Sequence, residues 1–340
     1  MGPTGKDVNV IQIHPTRRCN LRCQHCYSSS GPAESAELSV DSLERFLGDA
    51  AEEGFNGVGI SGGEPLVYRE LPRLLSFARG IGLQTSVTTN GLLLDARRLA
   101  SIAPHVSLLA FSLDGTPKSH DRMRGLPGAF ERLCARLSEV RAAGLPFGFI
   151  FTLTLTNLDE LAWIADFTVS QGAQLLQIHP LERAGRAREY ELLPPDDLEL
   201  SYAFIEVARL SKLYRDRLRI QLDVADRLLI ARQPWRAFAD DEVDPAVLQS
   251  LPLAEIVSPL VVQEDGWVVP IQHGFSTGHA IARLGDGPFR ARAATWKRER
   301  AAHFYAVCRR VWGELRDAPE HLPFTNWYAA VTTGSAASAA

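Results

Sequence analysis

Cys19, Cys23 and Cys26 crowd into eight residues of a 340-residue chain that holds only five cysteines. Thiolates bunched at this spacing hold an iron–sulfur cluster, and a run of three leaves one iron without a protein ligand, open to another molecule. Zinc is the competing metal. It would need a fourth ligand, His14 or His25, and structural zinc usually draws its ligands from two separated pairs. A disulfide framework fits poorly, because the chain shows no signal peptide and its cysteine usage suits a reducing compartment.

The elements that must position these thiols are legible as alternating periodicities. Short apolar runs at Val8–His14, Phe55–Ser61, Leu83–Thr89, Val106–Leu113, Pro146–Leu155 and Gln174–Leu181 read as six strands buried on both faces. Amphipathic stretches separate them. Val40, Leu43, Phe46, Leu47 and Ala50 keep helical spacing after Ser39, a predicted N-cap, and Phe130, Leu133, Cys134, Leu137 and Val140 do the same. Repeated βα units around a curved sheet predict an α/β partial TIM barrel, (β/α)6, in which chemistry sits at the C-terminal strand ends. The unusual clusters fall there. The cysteines follow strand one, Gly62-Gly63-Glu64-Pro65 follows strand two, Asn90-Gly91 closes strand three and Ser112-Leu113-Asp114-Gly115 closes strand four. Any one of these would pass for a turn; four in register point to a site.

Taken together, the three cysteines, Gly-Gly-Glu-Pro, and Ser112 to Gly115 with His120-Asp121 and Arg124-Gly125 downstream resemble the radical S-adenosylmethionine (SAM) superfamily over about residues 8 to 190. They are similar in particular to its peptide-modifying and sulfatase-maturing branch. That resemblance implies one [4Fe-4S] cluster on Cys19, Cys23 and Cys26, with SAM chelating the open iron and cleaved reductively to a 5′-deoxyadenosyl radical that abstracts hydrogen from a substrate. It implies SAM contacts from Gly62, Gly63 and Glu64 toward the methionine ammonium, and from His25 and the backbone of Leu181 toward the adenine. Ser112 and Arg124 would meet the ribose and carboxylate, a bidentate guanidinium being suited to the latter; Asn90 and Asp114 would serve there or simply close turns. A low-potential electron donor such as flavodoxin or ferredoxin is implied as a partner.

Residues 191–252 are expected to form a helical connection, with a long helix over Pro194–Asp216. Residues 253–325 then form a small α+β extension centred on an Asp265-Gly266 hairpin, followed by a helix over Arg290–Leu315. This region resembles the SPASM or twitch appendage of the same family. It departs from that pattern where a cysteine is expected after Pro270, since Ile271 stands there and no cysteine lies between Cys134 and Cys308. No auxiliary cluster is therefore expected, although His273 or His279 could serve as a non-thiolate ligand. Cys308 is the candidate hydrogen donor if the reaction is an epimerisation, and Cys134 a weaker one; both sit on apolar stripes where a thiol commonly serves as a core residue. Residues 326–340, small and polar, are expected to be a disordered tail.

The substrate that the resemblance implies is a peptide, and because the first strand begins almost at once, its recognition is expected to fall to a separate leader-binding protein or to the C-terminal region itself. A small-molecule precursor is the alternative, and a non-enzymatic metal-binding scaffold a remoter one. A net charge of −4 gives no footprint for nucleic acid, and no apolar run approaches the roughly 18 residues of a membrane span, so a cytoplasmic location is expected. The first residues lack the hydroxyl at position 6 that a myristoylation signal wants.

Overall fold

The structure, a computed structural model, describes residues 8–238, 245–318 and 323–337. The start of the chain used to read lipidation, residues 1–7, the last three residues of the expected tail, part of the helical connection (239–244) and part of the extension (319–322) lie outside the described residues.

All six expected strands form: β1 Val10–Ile13, β2 Gly57–Ile60, β3 Gln84–Thr89, β4 Leu108–Ser112, β5 Phe147–Leu153 and β6 Leu175–Pro180. They pair in parallel in sequence order. Helices α1 Val40–Glu52, α2 Leu71–Gly80, α3 Ala96–Ile102, α4 Pro117–Arg124, α5 Ala129–Ala142 and α6 Leu161–Ser170 run between them. The periodic residues of α1 (Val40, Leu43, Phe46, Leu47, Ala50) are all buried in the core, where each large aliphatic side chain contributes about 1.5–3 kcal/mol. Ser39 stands at the N-cap position, but its side chain makes no cap hydrogen bond. Asp121 caps α5 instead of taking part in the rim: its carboxylate accepts from the amides of Gly128 (2.5 Å) and Phe130 (2.9 Å).

The expected connection is not only helical. After α7, Asp197–Leu213, which opens with an Asp196/Glu199 capping box, the chain adds β7, Arg219–Leu222, in parallel to β6. The partial barrel thus has a seventh parallel strand. Arg219-Ile220-Gln221-Leu222 alternates polar and apolar residues, as suits an edge strand with one face in solvent, and lacks an apolar run like those of β4 and β5. The two-residue β8, Ala225–Asp226, and the short helices α8 Arg227–Arg232, α9 Pro245–Ser250 and α10 Leu253–Ile256 complete this region.

The extension is not a separate layer. The expected hairpin forms as β9, Leu260–Val262, and β10, Trp267–Pro270, and β9 pairs in parallel with β1, carrying the barrel sheet onward through β10 to β11, Ala282–Arg283. Leu260, Val261 and Val262 are fully buried. The expected single helix over Arg290–Leu315 is two helices, α11 Phe289–Glu299 and α12 Ala301–Asp317, divided at Arg300 (φ −126°, ψ −20°). On α11, Lys297 reaches across to the barrel, donating to Glu53 at 3.0 Å and to the Leu251 carbonyl at 3.0 Å. The disordered tail is corrected as well. After β12, Phe324–Thr325, which pairs with β8, residues Trp327–Ala337 form α13 on α12. Trp327, Val331 and Ser335 are buried at helical spacing, an inward stripe that the small-residue composition hides.

Candidate functional site

The rim of the parallel sheet gathers the sequence-predicted residues at successive strand ends. Cys19, Cys23 and Cys26 lie in the loop after β1, close enough for their charges to act on one another. Each sulfur has a polar partner beside it: the Leu21 amide donates to Cys19 at 3.4 Å, Arg124 Nη1 to Cys23 at 3.6 Å, and the Ser28 hydroxyl, able to donate or accept, lies 3.5 Å from Cys26. Burial pushes the Cys19 thiol up to about 12 and also raises Cys23, where the Arg124 cation opposes it. Buried thiols of this kind ionise when a metal takes the place of their protons.

Gly62 and Gly63 shape this loop from β2. A Cβ on Gly63 would stand 2.1 Å from the Arg18 carbonyl oxygen, and one on Gly62, which has φ +100°, 2.9 Å from His14 Cα. Gly63 and Glu64 then donate their amides to the carbonyls of Thr16 and Arg18, both at 2.9 Å. The glycines therefore admit the backbone of the cysteine loop itself. Their own carbonyls accept no hydrogen bond among the described residues, so they, and not the amides, are the groups left to meet an ammonium.

Glu64 is 1% exposed, and it ties β2 to β3. Oε1 accepts from the Thr89 hydroxyl (2.7 Å) and the Leu66 amide (3.1 Å), and Oε2 from the Asn90 amide (2.9 Å). Through these bonds it anchors the loop after β2 to the end of β3. Asn90 in turn donates to the Asn20 side chain at 2.9 Å, with the Cys19 sulfur 4.0 Å away, and accepts from the Leu92 amide.

Beyond β4, Asp114 is fully buried with Arg124 Nε 2.7 Å from its carboxylate and His25 Nε2 at 3.7 Å. Burial works to raise the Asp114 carboxyl, but Arg124, His25 and His120 together hold it below the usual range. Arg124 is thus engaged by a carboxylate of the chain itself and by Cys23. His25 faces this ion pair, and burial brings its imidazole down to about 4. Ser112 ends β4 half-buried, with no hydrogen bond to its hydroxyl among the described residues. The Leu181 amide is occupied by the Leu153 carbonyl at 2.8 Å. Cys308 is not brought to the rim. It is buried on α12 in the layer made with α8, α11 and α13, where burial raises its thiol to about 12, and Cys134 is half-buried on α5.

One residue escaped the sequence reading. Arg186, 3% exposed and just beyond β6, donates to the carbonyls of Cys23 (2.8 Å), Ser29 (2.9 Å) and Ser30 (2.7 Å), while its amide donates to the Cys26 carbonyl. Gly185 makes the approach possible, since a Cβ there would lie 2.1 Å from the Tyr27 carbonyl oxygen. Within a run that also holds Arg183 and Arg188, nothing local distinguished it except the glycine before it.

Three thiols, Cys23 buried and Cys19 and Cys26 half-buried, with polar partners at their sulfurs and two buried guanidiniums beside them fit an iron–sulfur cluster carrying net negative charge, and no fourth cysteine joins them among the described residues. A partial barrel carrying such a three-thiol rim defines a radical SAM domain. Residues 13–168 match the family described as "Radical SAM superfamily". The chain is 33% identical over 181 residues to an Fe-coproporphyrin III synthase of Methanosarcina barkeri, covering 52% of this chain and 45% of that protein. It is 28% identical over 253 residues to the sporulation killing factor maturation protein SkfB of Bacillus subtilis, covering 71% and 61%. It therefore spans about half the length of these curated relatives. Its fold is that of Streptococcus suis SuiB. Against the structure with S-adenosylmethionine the TM-score is 0.63 at 16% identity, covering 91% of this chain and 68% of SuiB. Against the structure with precursor peptide SuiA it is 0.64 at 15% identity, covering 92% and 67%. No helix among the described residues is long and apolar enough to cross a membrane.

Proposed function

We propose that the chain is a radical SAM enzyme that modifies a peptide at an unactivated carbon, by a reaction such as epimerisation or C–C cross-linking. The observation that carries the radical step is the convergence of Cys19, Cys23 and Cys26 with Asn90, Asp114 and Arg124 on one buried rim. Cys19, Cys23 and Cys26 would hold the cluster. Gly62, Gly63, Ser112, Arg124 and the backbone of Leu181 would line the SAM position. When bound, cluster and SAM supply a carbon-centred radical able to take hydrogen from an aliphatic C–H bond, chemistry that belongs to the cofactors. The chain contributes position and shielding. Arg124 and Arg186 offset negative charge at the thiolates, Glu64 and Asn90 fix the loops from β2 and β3, and the buried Asp114 keeps the Arg124 guanidinium beside Cys23.

The peptide reading is supported by SkfB, a maturation protein, and by a fold shared with a protein that binds its precursor peptide across nearly all of this chain. A separate leader-binding protein and a flavodoxin or ferredoxin donor belong to the same proposal. The likeness to a porphyrin-forming relative favours a second reading, a tetrapyrrole or other small-molecule substrate.

Anaerobic incubation of the reconstituted protein with SAM and dithionite tests the radical step: 5′-deoxyadenosine forms, and Cys23→Ala abolishes it. A non-enzymatic metal scaffold would give none. Candidate peptides from neighbouring genes, or coproporphyrin, then decide the substrate by the product's change in mass or by isotope exchange. Turnover of coproporphyrin with inert peptides would overturn the peptide reading.

A further inference from the structure

A second cluster of ligating side chains lies where the hairpin joins the barrel. His14 directly follows β1, Glu264 stands in the turn between β9 and β10, and His273 follows β10. One ligand atom from each lies within 4.8 Å of the others. None of the three takes part in the rim described above.

The geometry leaves a specific vacancy in the hydrogen bonding. His14 is fully buried, and its Nδ1 has no hydrogen-bond partner. Glu264 Oε2 is 3.8 Å away, beyond hydrogen-bond reach. A buried, unsatisfied ring nitrogen costs about 1–3 kcal/mol and calls for a reason. The other ring nitrogen, Nε2, is 3.3 Å from the Tyr27 hydroxyl, an outer partner of the kind that fixes the tautomer and ring angle of a metal-bound imidazole. The His14 and His273 rings stack with centroids 4.9 Å apart, and His273 Nε2 approaches the same Glu264 oxygen at 3.0 Å. Arg17 approaches Glu264 through Oε1 (3.9 Å), leaving Oε2 toward both imidazoles, and is itself drawn toward Glu34 at 3.5 Å.

The backbone is arranged to present His273. Ile271, buried two residues earlier, has φ +53°, a left-handed conformation that a β-branched side chain resists, and its amide is held by the Pro259 carbonyl at 2.8 Å. The Gly274 amide donates to the Gln263 side chain at 3.3 Å, closing the loop onto the hairpin turn.

We propose that His14 Nδ1, Glu264 and His273 bind one divalent transition-metal ion at the junction of hairpin and barrel. Two imidazoles and one carboxylate suit zinc and neighbouring first-row ions, and three protein ligands leave a coordination position for water or a substrate oxygen. The ion would cross-link β1 to the hairpin a few residues from the cluster cysteines. This inference stands apart from the identity of the substrate.

The test uses the full chain with its cluster reconstituted, dialysed against zinc and analysed for zinc, iron and sulfide per chain, with zinc X-ray absorption to identify ligand atoms. About one zinc per chain is expected, with a nitrogen and oxygen shell containing imidazole. His273→Gln and Glu264→Gln, at partly exposed positions, should each lower zinc affinity by more than about tenfold while iron and sulfide stay unchanged. Absence of zinc from the wild type, equal binding by both variants, or a sulfur-containing shell would overturn the proposal and leave the three side chains as a hydrogen-bonded staple.

Discussion

The guanidinium of Arg124 donates to the sulfur of Cys23 at 3.6 Å across 101 residues of sequence, while its Nε holds the Asp114 carboxylate at 2.7 Å. One side chain thus couples the loop after β1 to the end of β4 and settles the charge of both. Arg124→Ala would leave Asp114 buried without its cation, a defect that typically costs about 3–5 kcal/mol. Thermal unfolding of the purified protein should show a marked fall in Tm, with low cluster content after reconstitution. Arg124→Lys keeps the charge but lacks the fork that reaches both partners, so its loss should be smaller in stability than in cluster loading. Unchanged iron content in both variants would remove the role assigned to this residue.

Glu64→Gln is a sharper probe of the Gly-Gly-Glu-Pro turn. The carboxylate accepts three hydrogen bonds and donates none, whereas an amide must turn its NH2 toward one of those donors. A loss of about 1–3 kcal/mol in denaturant unfolding is expected. If Glu64 acted chiefly by holding the SAM ammonium, the variant would lose SAM affinity with its stability unaltered.

Arg186 separates cluster support from folding. Its removal frees three carbonyls of the cysteine loop but touches no strand of the barrel. Arg186→Ala should retain the wild-type far-ultraviolet circular dichroism while losing most of its iron and sulfide on reconstitution, and Arg186→Lys, with a single point of donation, should recover only part. Equal cluster loading in all three proteins would show the clamp to be dispensable.

What the chain made legible followed from periodicity. Strands β4 and β5 declare themselves by apolar runs, and α1 by a stripe that the structure buries residue for residue. Strand β7 was missed because it is an edge with alternating exposure, and α13 because small residues mask its buried face at Trp327 and Val331. At the site, residue types were readable but partners were not. Spacing marks Gly63 as special, yet only the fold reveals that the Arg18 carbonyl fills its Cβ position. Arg186 and the pairing of β9 with β1 depend on contacts between segments far apart in sequence, which no local pattern encodes.

His120 links the site to acid sensitivity. It is 1% exposed, and its Nδ1 accepts from the Asp114 amide at 3.2 Å, a bond that requires an unprotonated nitrogen. Burial, reinforced by the neighbouring Arg124 cation, lowers the folded imidazole to about 4 from 6.5. Between those values the unfolded chain binds the proton and the folded chain does not, so stability falls as pH drops from about 6.5 toward 4 and is flat in this group above that window. The shift corresponds to about 3 kcal/mol at most. His120→Asn, whose side-chain oxygen can accept from the same amide, removes the titration while keeping an acceptor. Urea unfolding at a series of pH values should therefore give the variant a shallower acid limb, the two curves converging as the wild type loses its advantage; parallel curves across that window would mean that His120 stays solvated and does not report on the Asp114 pocket.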